Sequence, residues 1–139
     1  MFQKLHHVGI VTADLDAAIA LYERVFGAHF THRERLEDQG VDVAIAALPL
    51  GGEIELLAPY RPETGVARFL AERGPGQHHT AYAVADLSAA LAQCRARGIE
   101  LIDVAPRYGA GGHRVAFLHP RSTGHVLIEL VESEEAEHA

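Results

Sequence analysis

The sequence predicts an α+β fold built from two tandem β-α-β-β-β modules, and three observations carry the prediction. The phrase Leu5-His6-His7-Val8-Gly9-Ile10-Val11-Thr12-Ala13-Asp14-Leu15 recurs 72 positions on as Gln77-His78-His79-Thr80-Ala81-Tyr82-Ala83-Val84-Ala85-Asp86-Leu87. Each copy later reaches a second shared phrase, Ile54-Glu55-Leu56-Leu57 in the first half and Ile128-Glu129-Leu130-Val131 in the second. Between these anchors the same order of alternating and helical patterns is met twice.

The elements follow in order. Residues 4–12 alternate and are rich in β-branched side chains, which reads as a strand. Asp14 then offers an N-cap to a helix whose stripe is Leu15, Ala18, Tyr22, Val25 and Phe26, and Gly27 closes it in the left-handed region. Residues 29–36, 41–48 and 53–58 read as three strands, turning at Gln39-Gly40 and Gly51-Gly52. A connector over 61–76 holds a short helix near 66–73 that stops at Gly74-Pro75-Gly76. The second module, 77–132, repeats the plan: a strand, a helix capped by Asp86 and striped by Leu87, Ala90, Leu91 and Cys94, closure at Gly98, then strands near 99–103, 113–118 and 125–131. Module 1 spans about 4–60, and the whole chain, 1–139, is expected to be one domain. The acidic stretch 133–139 has no apolar partner and is expected to fray.

Composition narrows the function classes. With 139 residues and 48% hydrophobic content the chain can bury a substantial core. A net charge of -7 without a long basic run argues against nucleic acid as the main partner. It leaves room for an anionic small molecule, because a cation or a few arginines can reverse the field in one cleft. No apolar run approaches the ~20 residues of a membrane span. Cys94 is the single cysteine and falls on the apolar face of a helix, so it reads as a core residue in a reducing, cytoplasmic setting.

Strand parity selects among the repeated residues. Side chains at i and i+2 share a face, so His6, Val8 and Ile10 lie together, as do His78, Thr80, Tyr82 and Val84; these bulky sets suit packing beneath helices. The opposite faces carry His7, Gly9 and Val11, and His79, Ala81 and Ala83, with a small residue two beyond each His. The same argument puts Ile54, Leu56, Ile128 and Leu130 on the packed side and turns Glu55 and Glu129 the other way. Two His and two Glu at equivalent places in a duplicated chain suit a metal site, since neighbouring buried carboxylates are costly without a cation. A nitrogen and oxygen donor set without thiolate fits Co²⁺, Ni²⁺, Mn²⁺, Fe²⁺ or Zn²⁺ with positions left for further ligands.

These residues carry a resemblance. The paired modules look like the vicinal oxygen chelate superfamily. Within it the chain resembles the methylmalonyl-CoA epimerase family over nearly its full length, through Glu37-Asp38-Gln39-Gly40-Val41, Ile54-Glu55-Leu56-Leu57-Ala58-Pro59, Arg68-Phe69-Leu70, His78-His79, Gly109-Ala110-Gly111-Gly112 and Phe117-Leu118-His119-Pro120-Arg121-Ser122-Thr123-Gly124. The resemblance implies a curved, partly open mixed sheet around a metal-binding cleft, with His7, Glu55, His79 and Glu129 as ligands, Co²⁺ as the foremost ion, an acyl-CoA substrate and a homodimer. It also points to Gln39, Gly112, Arg114, Arg121 and Ser122 as substrate contacts. Arg107 and His119 stand nearby in sequence and could help to offset the acidity of the chain.

The implied reaction inverts the α-carbon of methylmalonyl-CoA by removing a proton and returning it on the other face. Glu129 is the first candidate for proton transfer, and the stereochemistry demands a second group. Some relatives have a Glu two residues after the Gln-Gly-Val phrase, where this chain has Val43, and parity turns the adjacent Asp42 to the other face. Glu55 or a bound water remain for the task. Glyoxalase I-type isomerisation of a glutathione hemithioacetal is the rival enzyme reading, and a non-catalytic binding member of the superfamily would not need four ligands. Extradiol dioxygenases usually present two His and one Glu, so Glu55 speaks against them.

Overall fold

The computed structural model describes residues 1–133. It contains eight strands and three α-helices: β1 (Lys4–Val11), α1 (Leu15–Phe26), β2 (Phe30–Leu36), β3 (Val41–Ala47), β4 (Glu53–Pro59), α2 (Gly65–Arg73), β5 (Gly76–Val84), α3 (Leu87–Ala96), β6 (Arg107–Tyr108), β7 (Arg114–Leu118) and β8 (Ile128–Glu132). The chain divides into two compact units, His7–His78 and Met1–His6 with the residues from His79 onward. Both divisions fall inside repeated strands, between the two histidines of each His-His pair.

In the first unit the strands run β2-β3-β4-β1. β1 lies parallel to β4, while β3 is antiparallel to β4 and to β2. α1 begins where the Asp14 carboxylate accepts the Ala17 N–H at 3.0 Å and ends at Gly27, whose φ of 70° is the left-handed stop the sequence predicts. Its apolar side covers a cluster of Leu15, Ala44, Leu56 and Ala58, joined by Ile10, Ile19, Tyr22 and Ile54. Val25 and Phe26, expected on the buried stripe, are exposed. They occupy the last turn, where the Phe26 ring makes an edge contact with Tyr22 of the same helix.

The second unit repeats the plan with strand order β5-β8-β7-β6. β5 lies parallel to β8, β7 antiparallel to β8 and β6 antiparallel to β7. Asp86 caps α3 through the Ala89 N–H at 3.0 Å, and Leu87, Ala90, Leu91 and Cys94 are all buried against Val84, Ala116, Leu118 and Leu130. Burial pushes the Cys94 thiol up from its ordinary value, in keeping with a packing role. The chain start belongs here: the Gln3 N–H donates to Ala83 O at 2.8 Å, and the Phe2 ring stacks on Tyr82.

Two expectations for the second module change. The strand near 99–103 reduces to a single bridge between Leu101 and Leu118, and the outer strand is the two-residue β6. Asp103 explains the break, because its carboxylate takes the Phe117 N–H at 2.8 Å and occupies a ladder position that a backbone carbonyl would fill. The last strand starts at Ile128 rather than 125, since Gly124 and His125 hold φ of 66° and 68° and turn the chain. Ser133, placed in the fraying tail, is buried and donates its N–H to Val84 O at 2.8 Å; residues 134–139 lie outside the described residues. Among the described residues no helix is long and apolar enough to cross a membrane.

Candidate metal centre

Parity and burial agree along both His strands. In β1 the alternation leaves His7, Gly9 and Val11 buried and His6, Val8 and Ile10 half-buried; β5 buries His79, Ala81 and Ala83 in the same way. In the parallel ladders Gly9 is the Cα partner of Glu55, and Ala81 that of Glu129. Each carboxylate therefore rises beside the small residue that lies two positions after its histidine, and imidazole and carboxylate meet over that gap. His7 Nε2 lies 3.3 Å from Glu55 Oε2 in the first unit, and His79 Nε2 lies 3.6 Å from Glu129 Oε1 in the second. All four residues are buried.

The donor chemistry fits a divalent ion. Two donors held about 2.0–2.2 Å from one metal, at an angle of roughly 90–120°, lie about 3.0–3.6 Å apart, and both His–Glu pairs fall in that span. Each pair offers one imidazole nitrogen and one carboxylate oxygen from neighbouring strands, so backbone pairing fixes their spacing. A ring contact that the sequence did not signal supports His79: the Phe117 ring packs edge-on against it, with centroids 5.3 Å apart. Phe117 is also the cross-strand partner of Glu129, whereas Ile45 is that of Glu55. The duplication is therefore unequal, aromatic beside one pair and aliphatic beside the other.

The residues expected to contact substrate fall in several places. Gln39 sits half-buried in the β2–β3 turn, next to Gly40. A Cβ on Gly40 would come within 2.5 Å of Thr64 Cγ2, so this close approach needs glycine. Gly112, with φ of 78°, ends the glycine loop before β7. Ser122 Oγ accepts the Glu100 N–H at 3.0 Å and ties the turn over residues 120–122 to the end of α3's connector. The arginines are engaged: Arg114 with Glu132 at 2.9 Å, Arg121 with Glu100 at 3.0 Å and Arg107 with Asp103 at 3.1 Å. Their charges meet carboxylates of the chain itself, which lowers what they offer to phosphate groups.

Asp42 behaves as parity predicts. Its carboxylate takes Arg35 Nε at 2.7 Å and Nη2 at 3.1 Å, and the same guanidinium lies 3.9 Å over the Tyr60 ring. The Arg35 hydrogen bond holds the Asp42 carboxyl below its ordinary value, which makes it a poor base. Val43, its neighbour, is fully buried.

Comparison with known proteins agrees with this architecture. The profile of the glyoxalase/bleomycin resistance protein/dioxygenase superfamily matches residues 6–117. An ethylmalonyl-CoA/methylmalonyl-CoA epimerase of Cereibacter sphaeroides is 38% identical over 133 residues, covering 94% of this chain and 98% of that protein. The crystal structure of methylmalonyl-CoA epimerase from Mycobacterium tuberculosis superposes with a TM-score of 0.92 at 39% identity, covering 99% of this chain and 93% of that one. A methylmalonyl-CoA epimerase in complex with methylmalonyl-CoA and NH4+ gives a TM-score of 0.91 at 36% identity, covering 98% of both chains. With matching modules, matching fold and relatives of this closeness along nearly its whole length, the chain belongs to the glyoxalase/bleomycin resistance protein/dioxygenase superfamily and, within it, to the methylmalonyl-CoA epimerase family.

Proposed function

We propose that the protein epimerises methylmalonyl-CoA, with His7, Glu55, His79 and Glu129 as the ligands of one divalent ion, Co²⁺ foremost. The observation that carries the reading is the pair of buried His–Glu contacts at equivalent places in the two units, 3.3 Å and 3.6 Å, in a chain whose relatives are methylmalonyl-CoA epimerases. Bound there, the ion would supply Lewis-acid neutralisation of the charge that develops on the substrate's carbonyl and carboxylate oxygens.

The chain's residues do the rest. The imidazoles of His7 and His79 are neutral donors, and Glu55 and Glu129 bring the compensating negative charge. Glu129 removes the α-proton from one face through a carboxylate oxygen, and its burial keeps bulk water from competing for that proton. Gly9 and Ala81, two positions past the histidines, leave the room in which each imidazole and its carboxylate meet. As part of the same reading the chain acts as a single functional unit, as a homodimer, in the cytoplasm, where its one buried thiol, Cys94, stays reduced.

The test is to load the protein with Co²⁺ and incubate it with one epimer of methylmalonyl-CoA in D₂O. Deuterium should appear at the α-carbon, with inversion to the other epimer. Absence of exchange, together with turnover of the methylglyoxal–glutathione adduct, would overturn the reading in favour of a glyoxalase.

A further inference from the structure

The second unit departs from the first at its outer strand. In the first unit β2 pairs with β3 along Phe30–Leu36, whereas in the second the outer strand is the two-residue β6 and Asp103 takes a ladder position with its side chain. What the break brings together is a series of contacts that ends on His79. Pairing sets the face: Arg107 of β6 stands opposite Val115, Phe117 of β7 opposite Glu129, and Ala81 of β5 beside Glu129 from the other flank. Directly paired residues share a face, as do residues i and i+2, so Arg107, Val115, Phe117, Glu129, Ala81 and His79 lie on one side of the sheet.

Contacts join three of them. The Phe117 and His79 rings meet with centroids 5.3 Å apart and planes at 88°. Arg107 Cζ lies over the Phe117 ring, 5.5 Å from its centroid, within the range of a cation–π contact. Asp103 fastens both residues: one carboxylate oxygen accepts the Phe117 N–H at 2.8 Å and the other accepts the Arg107 Nε–H at 3.1 Å. The Asp103 side chain is 17% exposed, so water competes little for either bond. A single carboxylate therefore holds the backbone of Phe117 directly and its ring through Arg107. In the first unit the cross-strand partner of the glutamate is Ile45, which has no ring to offer.

We infer that Phe117 is a positioning residue for His79, setting the plane in which the imidazole presents its nitrogen to the metal, and that Asp103 and Arg107 act through it; the inference rests on the metal reading above. A histidine side chain turns about two bonds, and an edge-to-face contact favours one of the resulting ring planes. Backbone pairing of β5 with β8 sets how far apart the His79 and Glu129 strands run. It leaves the ring plane open, and Phe117 supplies that restraint. A ligand already turned the right way loses less freedom when the ion arrives, so the restraint acts on affinity and on coordination geometry. Removing the Phe117 ring should loosen His79 and leave His7 as it is.

The experiment titrates Co²⁺ into wild type, Phe117→Leu, Phe117→Tyr, Asp103→Ala and the double variant of Asp103→Ala with Phe117→Leu, following the visible absorption band of the bound ion and the melting temperature. Phe117→Leu should raise the Kd by about 3- to 10-fold, the worth of one edge-to-face contact, and shift the band. Phe117→Tyr keeps the ring and should return both toward wild type. Asp103→Ala should weaken binding by itself and add nothing once Phe117 is Leu, because residues that act through one contact are not additive. Val115→Ala, on the same face of β7 and packed with Ala81 and Val131, should lower the melting temperature and leave the band in place. A Phe117→Leu protein with the wild-type Kd and band overturns the inference and leaves the metal reading standing. So does an equal band shift in Val115→Ala, or an Asp103→Ala effect that adds in full to that of Phe117→Leu. Should Phe117→Leu fail to fold, Asp103→Ala is read alone, and an unshifted band overturns the inference. A wild-type protein that binds no Co²⁺ overturns both.

Discussion

Replacing Glu129 by Gln keeps the shape of a buried side chain and removes its charge, so the proposed metal role gives a prediction of opposite sign in the two states of the protein. Without metal, Glu129 is a buried carboxylate 3.6 Å from His79 Nε2, and the amide avoids the cost of desolvating a charge. The metal-free variant should therefore be as stable as wild type or more so. With metal the order reverses. At a free Co²⁺ concentration of 100 times its Kd, binding to the folded state alone stabilises wild type by about 2.7 kcal/mol. For 139 residues the unfolding entropy near the midpoint is about 0.29 kcal/mol/K, so the melting temperature should rise by about 9 °C. If losing one charged ligand weakens binding roughly 100-fold, no less than the loss of a ligand's supporting partner, the same concentration equals the variant's Kd. The stabilisation then drops to about 0.4 kcal/mol and the rise to about 1–2 °C. Differential scanning calorimetry of apo and Co²⁺-loaded samples reads all four midpoints. An equal Co²⁺-induced rise in both proteins would refute Glu129 as a ligand, and a metal-free variant much less stable than wild type would refute the cost assigned to its buried charge.

Two further outcomes follow from the packing and the ion pairs. Leu130 is fully buried among Val84, Leu87, Leu91 and Leu118, so Leu130→Ala should cost about 2–5 kcal/mol in urea unfolding with the slope unchanged. Because Arg35 depresses the Asp42 carboxyl in the folded state, this pair adds stability above the ordinary carboxylate range and loses it as pH falls through the depressed folded value; Asp42→Asn should flatten that acid limb in pH-dependent melting curves.

How much could be read in advance differs from residue to residue. The doubled His-His and Ile-Glu phrases, strand alternation and the Asp caps led to the helices, to seven of the strands and to His7, Glu55, His79 and Glu129, because each is set by local periodicity or by duplication. The missed features are those in which a side chain overrides a backbone pattern. Asp103 takes a ladder hydrogen bond and dissolves a predicted strand, and His125 at positive φ delays β8. Arg114 and Arg121 looked available for phosphate because their partners, Glu132 and Glu100, are 18 and 21 residues away in the chain.

By itself the sequence determined the module plan and which member of each His pair turns with the glutamates, since a period of two is built into any strand. Only the tertiary structure decided what stands beside those four residues. Phe117 reaches His79 through the β7–β8 pairing, and one extra residue in β2 turns His32 and Glu34 toward the Glu55 side. A bulge inverts every later side chain of its strand without leaving a mark on composition or spacing, so no reading of β2 alone could have found it.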